Sequence, residues 1–89
     1  MGIEEVEQLV IECLQENLEL SGEPVPKIDK NTKPACDLDG FDSLRAIEVV
    51  TDLEDKLKCE LPPEKIFMGK SIEDVSVSSI ASAIYKIQR

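Results

Sequence analysis

Eighty-nine residues suffice for one small domain with a thin core, and are too few for two. Apolar residues make up 42% of the chain, with Leu, Ile and Val dominant and three aromatics, which points to a packed helical domain rather than disorder. A net charge of −9 makes nucleic acid and anionic membrane surfaces poor partners and favours basic protein surfaces. Histidine is absent, which removes the commonest general base.

The first segment, about Ile3 to Leu20, reads as an amphipathic helix. Ile3, Val6, Leu9, Val10, Cys13, Leu14 and Leu18 recur at three- and four-residue steps, while six glutamates and no base fill the other face. Cys13 falls on the apolar stripe as a small core residue. Ser21-Gly22 ends this helix, and a long connection runs to Phe41. Pro24, Pro26 and Pro34 exclude helix through most of it. A connection of that length in a small domain has to be tied down, and Val25, Ile28, Leu38 and Phe41 are the expected anchors. Cys36 is expected as an exposed loop thiol without a role.

Asp37-Leu38-Asp39-Gly40-Phe41-Asp42-Ser43-Leu44 then launches a second long helix that extends to about Lys58. Asp42 is an N-cap residue type, and the apolar periodicity starts directly after it. Ser43 therefore falls in the first helical turn, beside unpaired backbone N–H groups and the positive end of the helix dipole. An anion attached to its hydroxyl would be well placed. At roughly 100° per residue, Ala46, Val49, Val50, Leu53 and Leu57 share the core side. Leu44, Ile47, Glu48, Thr51 and Asp55 fall on the side of Ser43, as a docking patch with an apolar centre and an acidic rim. Residues 37–60 hold eight acids against three bases.

Leu61-Pro62-Pro63 breaks the helix. Pro63 to Phe67 forms a short helical turn closed by Gly69, and Ser71-Ile72-Glu73-Asp74 offers a second start with near capping-box spacing, of which only one need form. Ser76 caps a last helix, about Val77 to Gln88, with Val77, Ile80, Ala81, Ile84 and Ile87 as its stripe and with Lys86 and Arg89 at its C-terminal end. The expected fold is all-α. It is a small four-helix bundle, three main helices plus one short one, with a long loop between helices one and two, in a single domain over 1–89. Its core is expected to hold Val6, Val10, Leu14, Val50, Leu53, Leu57, Ile80 and Ile84.

Asp42-Ser43-Leu44, preceded by Gly40-Phe41 and followed by Ala46-Ile47-Glu48-Val49-Val50 and Leu53-Glu54-Asp55-Lys56-Leu57, resembles the acyl carrier protein family. Nearly the whole chain takes part, including the C-terminal Val77-Ser78-Ser79-Ile80-Ala81-Ser82-Ala83-Ile84. The resemblance implies a 4′-phosphopantetheine arm on Ser43 through a phosphodiester, donated by coenzyme A, with the acyl group held as a thioester on the arm's thiol. Asp42 would cap the helix beside the site, and Leu44, Ile47, Glu48, Thr51 and Asp55 would meet partners. The partners it implies are a phosphopantetheinyl transferase (holo-carrier synthase) and acyltransferases, ketosynthases, reductases or acyl-ligases with basic docking surfaces. No nucleic acid and no membrane insertion are expected. Arg45 departs from the acid that often follows Ser-Leu in fatty-acid-synthesis carriers, and Lys56 and Lys58 dilute the acidic face. These point toward a specialised pathway, polyketide-like or lipid-modifying.

Other classes fit less. No metal cluster, Gly-rich phosphate loop or nucleophile–base pair supports an enzyme. An EF-hand starting at Asp37 would put Asp42 where glycine is required. The alternatives left open are an acidic helical interaction module and a D-alanyl or peptidyl carrier of the same fold. Against the peptidyl carrier, Asp42 stands where His is common. An odd cysteine count fits a reducing cytosol, and with no signal peptide or long apolar run the expected protein is a cytoplasmic monomer.

Overall fold

The longest helix, α1 (Ile3–Leu20), is the one against which the others assemble. A computed structural model describes residues 2–22, 24–38, 43–67 and 72–88. At about 1.5 Å per residue α1 is roughly 27 Å long, most of the molecule's 34 Å greatest extent. Its stripe buries Val6, Val10, Cys13, Leu14 and Leu18, while Glu4, Glu5, Glu12, Glu16 and Glu19 stay in solvent. Gly22, at φ 76°, closes the helix by donating its N–H to the Glu19 carbonyl, a left-handed turn that glycine enters without a Cβ penalty.

The connection after α1 is more ordered than its prolines suggest. Pro34 starts a four-residue helix, α2 (Pro34–Asp37), because proline lacks only an N–H that the first helical position does not use. The Asp37 carboxylate accepts the Lys33 N–H at 2.9 Å. Before α2, Asp29 and Thr32 lock a turn. Asp29 Oδ1 accepts the Asn31 N–H at 2.9 Å, and Thr32 Oγ1 accepts the Asp29 N–H at 3.0 Å. Ile28 and Leu38 are buried as expected anchors. Val25 is not an anchor: it lies exposed, since the chain between the two prolines runs over the surface. Phe41 lies outside the described residues.

Helix α3 (Ser43–Leu57) buries Ala46, Val49, Val50 and Leu53. Leu57, expected in the core, is only half-buried on the last turn. Lys58 ends the helix in the left-handed region at φ 55° without a glycine. Glu54 Oε2 accepts the Leu61 N–H at 2.9 Å and turns the chain back so that Leu61 is fully buried. Both short starts that follow form: α4 (Pro63–Phe67) and a 3-10 turn over Ile72–Asp74. Gly69 and Ser71 lie outside the described residues.

Helix α5 (Val77–Gln88) has all four of its first N–H groups satisfied. Thr32 and Lys30 carbonyls accept from Val77 and Ser78, each at 2.9 Å, Ser76 Oγ accepts from Ser79 at 3.1 Å, and the Ser76 carbonyl accepts from Ile80 at 3.0 Å. Ser76 is thus the cap that the sequence implies, and the long connection is latched to α5 by backbone bonds. Helix α1 packs on both α3 and α5, α4 packs on α5, and α2 meets the 3-10 turn. The result is the expected small all-α bundle, with the additional short helix α2 inside its long connection. No described helix is long and apolar enough to cross a membrane.

Candidate functional site

The α3 N-terminus carries the sequence argument, and Ser43 is the first residue of that helix. Its first turn contains no acid, and the positive end of the helix dipole favours an anion attached at that position. Asp42 and the loop 39–42 lie outside the described residues, as does the Ser43 side chain, so the capping role of Asp42 stays an expectation.

One face of α3 beyond Ser43 holds the other expected residues together. Leu44 is 66% exposed and Ile47 is 47% exposed, whereas Ala46, Val49 and Val50 on the opposite side are buried. Such apolar exposure one turn from a helix N-terminus costs nothing in the fold and supplies area for a partner. Glu48, Thr51 and Asp55 are exposed on the same helix. Their availability differs. The Thr51 hydroxyl donates to the Ile47 carbonyl at 2.9 Å, which leaves a partner only its oxygen lone pairs and methyl group. Glu48 Oε1 accepts from Asn17 Nδ2 of α1 at 3.3 Å. Asp55 makes no hydrogen bond or ion pair with a described residue and keeps both carboxylate oxygens for a cation.

Sequence reasoning missed the ties between α1 and α3. Asn17 reaches Glu48, while Lys56 Nζ binds Glu16 at 2.9 Å and sits 4.0 Å from Asp52. Hydrogen bonding to Glu16 holds the Lys56 ammonium above its ordinary pKa. Its dilution of the acidic face is therefore spent on Glu16 and Asp52 rather than on Glu48 or Asp55. The Lys56–Asp52 pair is a local i,i+4 contact within α3, but the Asn17–Glu48 and Lys56–Glu16 pairs are set only by the relative rotation of the two helices, which no local pattern encodes.

The thiols divide by environment. Burial, reinforced by the Asp52 carboxylate, pushes the Cys13 thiol up to about 12, so it stays a neutral core group. Cys36 is exposed, on α2 rather than in irregular loop, and its thiol donates to the Glu73 carbonyl at 3.3 Å. Beneath α3, an apolar cleft lies among Leu14, Pro34, Ala46, Val49, Val50, Phe67, Val75 and Ile80. It leaves about 10 Å³, room for roughly one water, so any larger group enters only if its walls part.

A helix N-terminus bearing a hydroxyl residue, flanked by an exposed apolar and acidic face on a small bundle, is compatible with a domain that carries a covalently attached group. Residues 8–76 match the phosphopantetheine attachment site family, and the chain belongs to that family. Its cofactor is covalently attached 4′-phosphopantetheine, and carrier domains of this kind are served by phosphopantetheinyl transferases and biosynthetic enzymes. No curated protein and no solved structure matches the chain.

Proposed function

We propose that Ser43 is the attachment residue and that the chain is a non-catalytic acyl carrier protein. It carries acyl intermediates as thioesters in cytoplasmic fatty acid, polyketide or related lipid biosynthesis, as a single domain over 1–89. The observation that supports this reading best is Ser43 at the first position of α3, with Leu44 and Ile47 exposed directly beyond it. When attached, the arm supplies a thiol that holds cargo as a thioester. The chain's own part is to present one hydroxyl at a rigid helix end. Attachment joins the Ser43 oxygen to a phosphorus of coenzyme A while the nucleotide half leaves and the transferase accepts the hydroxyl proton. No base from this chain is needed, which accords with the absence of histidine. Leu44, Ile47, Glu48, Thr51 and Asp55 form the face that the transferase and the downstream acyltransferases, ketosynthases or acyl-ligases share. Its acids attract their basic surfaces over a distance of about 10 Å at moderate salt.

The test is intact mass after incubation with coenzyme A, magnesium and a broad-specificity phosphopantetheinyl transferase. Wild type gains one phosphopantetheine, and Ser43→Ala gains none while keeping its helical circular dichroism. No gain in wild type, with the transferase active on a control carrier, would refute the carrier reading and favour an acidic interaction module.

A further inference from the structure

Asn17 breaks two local rules in α1. It stands inside a helix although asparagine is a poor helix former, and its side-chain Oδ1 is buried with no donor among the described residues. A leucine of nearly the same shape would remove both defects. What the amide gains instead is Glu48: Nδ2 donates to Glu48 Oε1 across the α1–α3 seam at 3.3 Å. That contact also sets which way the amide lies, because turning it over would bring its oxygen against a carboxylate. A local defect of this kind points to a functional demand.

The acids of α3 are engaged in different ways. Lys56 lies 4.0 Å from Asp52 and offsets its charge, while Glu54 is committed to the Leu61 N–H. Glu48 is held by a neutral donor, forms no ion pair with a described residue, and keeps Oε2 unbonded among them. A neutral donor fixes a carboxylate without cancelling its charge, as a lysine in its place would. Glu48 is also the first acid of α3, one turn beyond Leu44 at the Ser43 end.

We propose that Asn17 is a positioning residue for arm attachment: it holds the charged Glu48 ready for a cationic side chain of the phosphopantetheinyl transferase. This role rests on the carrier reading of Ser43. It extends the docking machinery to α1, through a residue that need not touch the partner. Holding one long side chain in place before the encounter spares the ordering that docking would otherwise require, an effect worth about two- to tenfold in affinity.

Initial rates of phosphopantetheine incorporation, with this protein as the varied substrate, separate KM from kcat. Asn17→Leu and the smaller Asn17→Ala should each raise KM about two- to tenfold at low salt and leave kcat unchanged. The rise should shrink at high salt, where the Glu48 charge is screened. In a Glu48→Ala background neither change should raise KM further, since nothing is left to position. The urea midpoint of Asn17→Leu should not fall, because the substitution removes an unsatisfied carbonyl and keeps the volume. In the protein without its arm, Glu48→Ala should shift the Asn17 side-chain amide resonances and leave those of Asn31 in place. A wild-type KM in both Asn17 variants, a rise of the same size with and without Glu48, or an Asn17 amide indifferent to Glu48→Ala would overturn the positioning role while leaving the carrier reading intact. No arm on wild type, with the transferase active on a control carrier, would overturn the carrier reading and this role together.

Discussion

Ile47 and Val50 stand three residues apart on α3, and the structure assigns them opposite work. Val50 is 3% exposed in the core, whereas Ile47 is 47% exposed beside Ser43. Val50→Ala removes two buried methyl groups, about 1.6 kcal/mol of transfer free energy plus a cavity penalty, for a total of about 2–3 kcal/mol. In a domain of this size that corresponds to a fall in Tm of roughly 8–24 °C. Ile47→Ala removes three carbons of which about half the surface is already in water, costing about 1.2 kcal/mol on folding. Alanine's better helix propensity returns about 0.4 kcal/mol, so the net loss stays below about 1 kcal/mol. The same side chain seated against the transferase is worth about 1–2 kcal/mol, so kcat/KM for arm attachment should fall about 5- to 30-fold in Ile47→Ala. Urea denaturation gives the stabilities, and initial rates of phosphopantetheine incorporation give kcat/KM. If Ile47→Ala proved as destabilising as Val50→Ala, or attachment kept its wild-type rate, the division of α3 into a core face and a docking face would be wrong.

Charge reversal tests the rim: Glu48→Lys with Asp55→Lys should slow attachment several-fold, more at low salt than at high, with a change in stability under about 1 kcal/mol. An equal rate would rule out the acidic rim as a recognition element. Ser76→Ala removes the side-chain oxygen that accepts the Ser79 N–H and should destabilise by about 0.5–2 kcal/mol, read from the denaturation midpoint. Cys36 should alkylate quickly in the native protein and Cys13 only on unfolding, as peptide mapping after iodoacetamide treatment would show. Because the Cys13 thiol is raised from 9.0 to about 12 in the fold, the unfolded chain loses its proton first. Its contribution is complete below pH 9.0 and is lost as pH climbs toward 12, so stability should fall over that window and fall less in Cys13→Ala.

The sequence by itself determined the elements that depend on periodicity and local chemistry. The stripes of α1, α3 and α5, the Ser76 cap, the proline-initiated α4 and the separation of Leu44 and Ile47 from the core follow from side-chain spacing, which the backbone of a helix converts directly into faces. Ser43 at a helix start was legible for the same reason. Where helix ends or surface loops were concerned, the reading weakened. Leu57 is half-buried because the last turn of α3 rises out of the core, and Val25 is exposed because an apolar residue between two prolines has no helix to carry it inward. Only the tertiary structure decided how helices meet. The carbonyls of Lys30 and Thr32 complete the α5 N-terminus, Lys56 crosses to Glu16 at 2.9 Å in addition to its longer pair with Asp52 on its own helix, and Asn17 takes up Glu48 while Asp55 makes no hydrogen bond or ion pair with a described residue. All but the Asp52 pair join residues about 30 to 50 positions apart, and their partners are fixed by the rotation and crossing of packed helices, a degree of freedom to which no window of sequence has access.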